Sequence, residues 1–213
     1  MNTRYDSTKL EYAVILERVE ENSSVLDLGC GTGDLLSLLV QERKVKAQGI
    51  EIDEQAIYRC VERGLSVFHG DIDTGLSEYR DKSFDYVILC QSFQQVKKPD
   101  MVLREALRVG KEIIVSFPNF AYFRARFQIF FNGKTPVTPS LPYEWHDTPN
   151  LHFLSISDFV GYCDRRNVRI VGSAFASGDR RVRMFPNFFA EVGVFFLRET
   201  ERERERERER ERV

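Results

Sequence analysis

Residues 25–35 read Val25-Leu-Asp-Leu-Gly29-Cys-Gly31-Thr-Gly33-Asp-Leu35, an apolar run joined to a leucine-rich run through three glycines spaced two apart. A short apolar run, a glycine turn and a helical run leave few folds open. Glycine in the turn lets backbone or a ligand come where a side chain would block it. In an open parallel sheet such a turn lies at the carboxyl end of a strand, where ligands bind. Further alternation supports this setting. Strand-like runs at Ser24–Leu28, Lys46–Ile52, Leu65–His69, Asp85–Cys90 and Glu112–Phe117 are separated by helical patterns at 34–41, 53–63 and 100–109, and another helix is expected over 7–21. Tyr86 to Leu89 is apolar without a break, as in a strand covered on both faces. The expected fold is α/β: a doubly wound, mostly parallel, Rossmann-like sheet.

After Pro118 the pattern loosens. Phe120–Phe131 reads as a helix packed on the body with an exposed edge at Arg124 and Arg126. Residues 132–151 hold four prolines and read as an irregular loop insertion. Ser157–Arg166 reads as a helix capped by Ser157 or Asp158, and Val168–Ala174 and Glu191–Leu197 as strands near a sheet edge. The phenylalanines at 185–189 are expected in packing. Residues 1–197 form the expected domain. Residues 198–212 hold seven Arg and seven Glu with nothing apolar to bury, and 198–213 is expected to be a disordered tail. The net charge is −2 with or without residues 198–213, which argues against a general nucleic-acid binder. No apolar run approaches a membrane span. The start, Met1-Asn-Thr-Arg-Tyr-Asp, carries no apolar signal core. The four cysteines form no Cys-x-x-Cys pair and read as reduced thiols, so no metal site is expected and a cytoplasmic location is.

Spacing separates candidate ligands. A dinucleotide loop is Gly-x-Gly-x-x-Gly; here it is Gly-x-Gly-x-Gly, with Asp27 two residues before it. A carboxylate there would repel a pyrophosphate and suits a cationic ligand such as S-adenosylmethionine, which has a sulfonium, an ammonium and no phosphate. Glu51 stands at the end of the second strand, where a carboxylate can accept from ribose hydroxyls, with Ile52 placed to lie against an adenine face. Asp53 reads as a helix cap. Asp71, before Ile72, reads equally as a turn residue or as an acceptor for the adenine amino group. The backbone of Cys90-Gln91-Ser92-Phe93 would meet the methionine part of the ligand. The candidate cofactor site is therefore Asp27, Gly29, Cys30, Gly31, Gly33, Glu51, Ile52, Asp71, Ile72, Cys90 and Gln91.

Together, Leu-Asp-Leu-Gly-Cys-Gly-Thr-Gly, Gly-Ile-Glu-Ile-Asp, Gly-Asp-Ile and Phe-Asp-Tyr-Val-Ile resemble class I S-adenosylmethionine-dependent methyltransferases over about residues 20–118. A narrower resemblance is to the methionine-biosynthesis MetW family. It rests on Ser92-Phe-Gln-Gln-Val-Lys-Lys-Pro-Asp100, Val115-Ser-Phe-Pro-Asn-Phe120, Pro136-Val-Thr-Pro and Leu141-Pro-Tyr-Glu-Trp-His-Asp-Thr-Pro-Asn-Leu-His152, and runs to about residue 177. The resemblance implies a methyltransferase-like fold and a role beside homoserine O-acyltransferase in methionine synthesis, with S-adenosylmethionine or S-adenosylhomocysteine in the glycine-loop site. The competing reading is a methyltransferase acting on a small-molecule acceptor. His146 and His152, in the 141–152 loop, are the candidate general bases for that reaction.

Overall fold

The computed structural model describes residues 6–200, with side chains from residue 10 onward. The 201–213 part of the expected tail lies outside the described residues. The strands are β1 Ser24–Leu28, β2 Lys46–Glu51, β3 Val67–His69, β4 Phe84–Cys90, β5 Gly110–Pro118, β6 Arg169–Ser177, β7 Arg180–Arg181 and β8 Val192–Arg198. They form one sheet in the order β3-β2-β1-β4-β5-β8-β6-β7. From β3 to β5 every neighbouring pair is parallel, while β8 runs antiparallel to both β5 and β6. The helices are α1 Asp6–Arg18, α2 Asp34–Arg43, α3 Glu54–Glu62, α4 Pro99–Val109, α5 Phe123–Asn132, α6 Ile156–Arg165 and the short α7 Pro186–Phe189.

The period of two in a strand explains why the central runs are apolar throughout. Val87 and Leu89 of β4 enter the core on one face with Ile113, Val115 and Phe117 of β5. Tyr86, Ile88 and Ile114 enter the core on the other face. Helices α4 and α6 cover the first face, and α1, α2 and α3 the second. Burying one such aliphatic side chain contributes about 1.5–3 kcal/mol, so both layers are needed to offset the cost of ordering the chain. Phe117, Phe159 and Phe195 meet at centroid distances of 4.8–5.7 Å and lock α6 onto β5 and β8.

Two polar pins hold the layers in place. Glu112 of β5 is buried and accepts from Arg18 Nη2 at 2.7 Å and Arg198 Nε at 2.8 Å, which ties the end of α1 to the sheet. Arg198 thus belongs to the sheet, one residue past the expected boundary at 197, and Lys82 Nζ donates to Glu199 at 2.8 Å. Asn119, fully buried just past β5, donates through Nδ2 to the Ala190 and Asn187 carbonyls and accepts at Oδ1 from Ala121 N and Ile156 N.

Some elements differ from expectation. Helix α6 is capped by Ser155, not by Ser157 or Asp158. Ser155 Oγ accepts from Asp158 N, and the Asp158 carboxylate accepts from Ser155 N, a capping box that starts the helix one residue earlier, at Ile156. Strand β3 starts at Val67 because Leu65 N is bound to the Cys60 carbonyl in the turn after α3. Helix α5 buries only Ala125. Phe127, Phe130 and Phe131 are exposed, as are Phe185 and Phe189, because apolar residues on nearly every side of a ten-residue helix cannot all face one body. Between α5 and α6 the chain is irregular, with one bridge, Thr138 to Leu141.

Candidate functional site

The glycine loop is folded against β2. Gly29 N and Cys30 N both donate to the Ile50 carbonyl, at 2.8 and 3.2 Å, and Gly33 N donates to Cys30 O. All three glycines have positive φ: +78°, +55° and +76°. Their roles differ. A Cβ at Gly29 would stand 2.9 Å from Ser92 Cβ, and one at Gly33 would stand 2.5 Å from Leu65 Cδ1 and 2.8 Å from Cys60 Sγ. At Gly31 a Cβ would meet nothing within 4 Å.

A cleft of about 380 Å³ opens at the carboxyl ends of β1, β2, β3 and β4. This is within the usual range for small-molecule sites. The sheet's arrangement explains the position: β1 lies between β2 and β4, so the loops leaving it diverge. Of the expected residues, Gly29, Gly31, Glu51, Ile52, Asp71, Ile72 and Gln91 line this one cleft. Glu51 is the organising group. Its Oε2 accepts from Gly31 N at 2.7 Å, and its Oε1 accepts from Ile52 N at 2.8 Å and Asp53 N at 3.0 Å. One carboxylate thus ties the glycine loop to the end of β2. Asp53 is the N-cap of α3, accepting from Gln55 N at 2.9 Å. Asp71 spends one oxygen on the turn, accepting from Asp73 N, while still lining the cleft.

Four expected residues do not line the cleft. Asp27 is buried, and its Oδ1 has no hydrogen-bond partner. Burial, with Glu51 nearby, pushes its carboxyl up to about 7. Cys30 fills the space beside Gly49, where an added Cβ would stand 2.5 Å from its sulfur. Burial pushes its thiol up, away from thiolate chemistry. Gly33 serves the packing of the loop on α3. Cys90 Sγ faces Glu11 Oε1 at 3.6 Å. The two histidines lie elsewhere. His146 is exposed beside Glu144, and the His152 ring bonds the Val96 carbonyl at 3.0 Å, which ties the 141–152 loop to the segment before α4. Neither lines the cleft.

The lining also includes residues outside the candidate cofactor set. Asp73 and Lys97 line the cleft, and Asp73 accepts from Lys97 N and Lys98 N at 2.9 and 2.8 Å. Ser92 lines it and donates through Oγ to Leu28 O at 2.7 Å, fixing β1 against the turn after β4. Gln91 takes a positive φ, +57°, rare for a non-glycine residue. Its Nε2 donates to Glu11 of α1 at 2.9 Å. A carboxylate next to the apolar stripe Leu10, Ala13, Val14 was the available signal for Glu11.

Among the described residues no helix is long and apolar enough to cross a membrane. Comparison with known proteins gives a family and a fold. The family model described as methionine biosynthesis protein MetW matches residues 9–197. The bifunctional methionine biosynthesis protein MetXA/MetW of Rhodopirellula baltica is 36% identical over 182 residues, which cover 81% of this chain. The chain spans only 29% of that relative's length. A solved S-adenosylmethionine-dependent methyltransferase of Thermotoga maritima, described as a possible histamine N-methyltransferase, superposes with a TM-score of 0.64 at 18% identity, covering 91% of this chain and 90% of its own. The [4+2]-cyclase SpnF superposes at 0.65 and 18% identity, over 93% and 85%. These likenesses establish a class I methyltransferase-like fold, and the cyclase among them shows that this fold does not by itself fix a reaction. With its family model matched over nearly the whole described chain and a MetXA/MetW relative at 36% identity, this chain belongs to the methionine biosynthesis protein MetW family.

Proposed function

We propose that the chain supports homoserine O-acyltransferase in methionine biosynthesis and binds S-adenosylmethionine or S-adenosylhomocysteine in the glycine-loop cleft. The observation that carries the first part is the relative that joins MetXA and MetW in one polypeptide. Fusion holds two modules at high effective concentration, an arrangement that favours partners working together. MetXA is here read as the acyltransferase part.

The second part rests on the site's chemistry. Glu51, Asp71 and Asp73 line the cleft with one cation among the described residues, Lys97, so the lining disfavours a pyrophosphate and suits a sulfonium ligand. The open direction at Gly31 leaves room for a ligand against backbone. The orphaned Oδ1 of Asp27 is an acceptor without a donor, and a cationic ligand nearby would favour its ionised form. When bound, the ligand would supply an activated methyl group or, in an accessory protein, a report on the pathway's product. Glu51 would orient the ribose and Ile52 would cover the adenine.

Size-exclusion chromatography with light scattering tests the partnership. The purified chain and the cognate acyltransferase should co-elute at micromolar concentration, with S-adenosylhomocysteine present or absent. Two separate species under both conditions would refute it.

A further inference from the structure

A second chamber of about 320 Å³ adjoins the cleft and shares Gln91 and Gln95 with it. Glu11 and Tyr12 of α1 form one side. Tyr143 and Asn150 of the 141–152 loop form another, and Pro118, Pro139 and Pro142 supply apolar walls.

Two of the chamber's polar side chains, Glu11 and Gln94, are almost fully buried. Glu11 is 1% exposed, and its Oε1 accepts from Gln91 Nε2. Among the described residues no Lys, Arg or His lines the chamber. The contrast with Glu112 is direct: that equally buried acid is met by two arginines, one of them on the same helix as Glu11. A buried carboxylate without a cation is costly to ionise, and burial pushes the Glu11 carboxyl up. Gln94 is 3% exposed, and its Nε2 is spent on Gln91 O at 2.8 Å, while its Oε1 has no partner. The chamber therefore offers a buried carboxyl and an unfilled amide acceptor, with no cation among the described residues to meet a carboxylate or phosphate, and is walled by prolines.

We propose that this chamber binds a small aliphatic amine, held as its ammonium by Glu11 and Gln94 with its hydrocarbon against the proline walls, at the same time as the neighbouring cleft is filled. An ammonium brings three N–H donors and the missing positive charge, and an alkyl group of a few carbons suits the volume. The proposal does not rest on the acyltransferase partnership, nor on which ligand occupies the cleft.

The test is calorimetric titration of the full chain with n-butylamine, using n-butanol and butyrate as neutral and anionic controls of similar size. The expected result is saturable binding of butylamine alone, retained at saturating S-adenosylhomocysteine, and weakened about tenfold or more in Glu11→Gln. Sodium and potassium chloride should not displace the amine. Absence of amine binding, equal binding of butanol, loss of the amine to either salt, competition with S-adenosylhomocysteine, or a folded Glu11→Gln protein that binds as wild type would each overturn it. If Glu11→Gln fails to fold, the discrimination among the three butyl compounds decides. Failure of S-adenosylhomocysteine to bind would count against the cleft's proposed ligand and leave the amine result standing.

Discussion

Alanine at Gly31 and at Gly29 separates a ligand-facing glycine from one held by packing. Gly31 has φ +55° and open space around the missing Cβ. Gly31→Ala therefore incurs only left-handed backbone strain, about 1 kcal/mol. For a chain of this size that is a drop of roughly 2–4 °C in melting temperature. Gly29 has φ +78°, and its Cβ would stand 2.9 Å from Ser92 Cβ, an atom fixed to backbone and held by the Ser92 Oγ bond to Leu28 O. Strain plus displacement brings Gly29→Ala to about 3 kcal/mol, or roughly 6–12 °C. The order reverses the usual link between stability and binding. Gly31→Ala should stay folded while its methyl group enters the ligand's space, losing about 1–3 kcal/mol of S-adenosylhomocysteine affinity, roughly 5- to 150-fold. Thermal melts read the stabilities, and titration calorimetry reads the affinity. A Gly31→Ala protein that binds like wild type, or that melts as low as Gly29→Ala, would refute the reasoning.

Other outcomes follow from buried polar groups. Asp27 holds its proton in the folded state between its ordinary 3.8 and about 7, so the ligand-free protein should lose stability as pH rises through that window. The full shift corresponds to about 4 kcal/mol at most. Asp27→Asn should flatten the loss measured by denaturant titration at pH 5 and pH 8, leaving the slope due to Glu11; an unchanged profile would contradict the assignment. Asn119→Ala removes four hydrogen bonds that join β5, α6 and α7, and should cost about 3 kcal/mol in urea unfolding, whereas a cost under 1 kcal/mol would mean that the pin is not needed. Asp100→Ala breaks an exposed pair with Arg166 and a bond from the Tyr162 hydroxyl, and should move the urea midpoint only slightly, with the change shrinking further in 1 M salt.

The sheet was legible where burial on both faces makes a strand apolar throughout, as in β4, and where a local motif marks a turn, as at Gly29 to Gly33. The resemblance to the MetW family pointed to the same class and family as the comparisons. Boundaries set by hydrogen bonds across the turn, such as the Ser155–Asp158 box and the late start of β3, leave only faint sequence marks. Seven expected site residues meet in the cleft because they stand at the ends of adjacent strands, where position in the chain gives position in space. Gly33, Cys30 and Cys90 do not, since which way a loop residue faces depends on α1, α3 and β2 packed against it. Glu11 lies 80 residues from Gln91, and no local pattern shows that they touch. The histidines carried chemistry by type alone, and the fold uses His152 to tie a loop.

The most direct measurement is the rate of the cognate homoserine O-acyltransferase with and without an equimolar amount of this protein, each with and without S-adenosylmethionine. A role in supporting the acyltransferase predicts a clear rise in rate when the protein is added. A cleft that takes S-adenosylmethionine predicts that Gly31→Ala shifts any effect of that ligand on the rise to a roughly 5- to 150-fold higher concentration. An acyltransferase rate unchanged under all four conditions would contradict the proposed function.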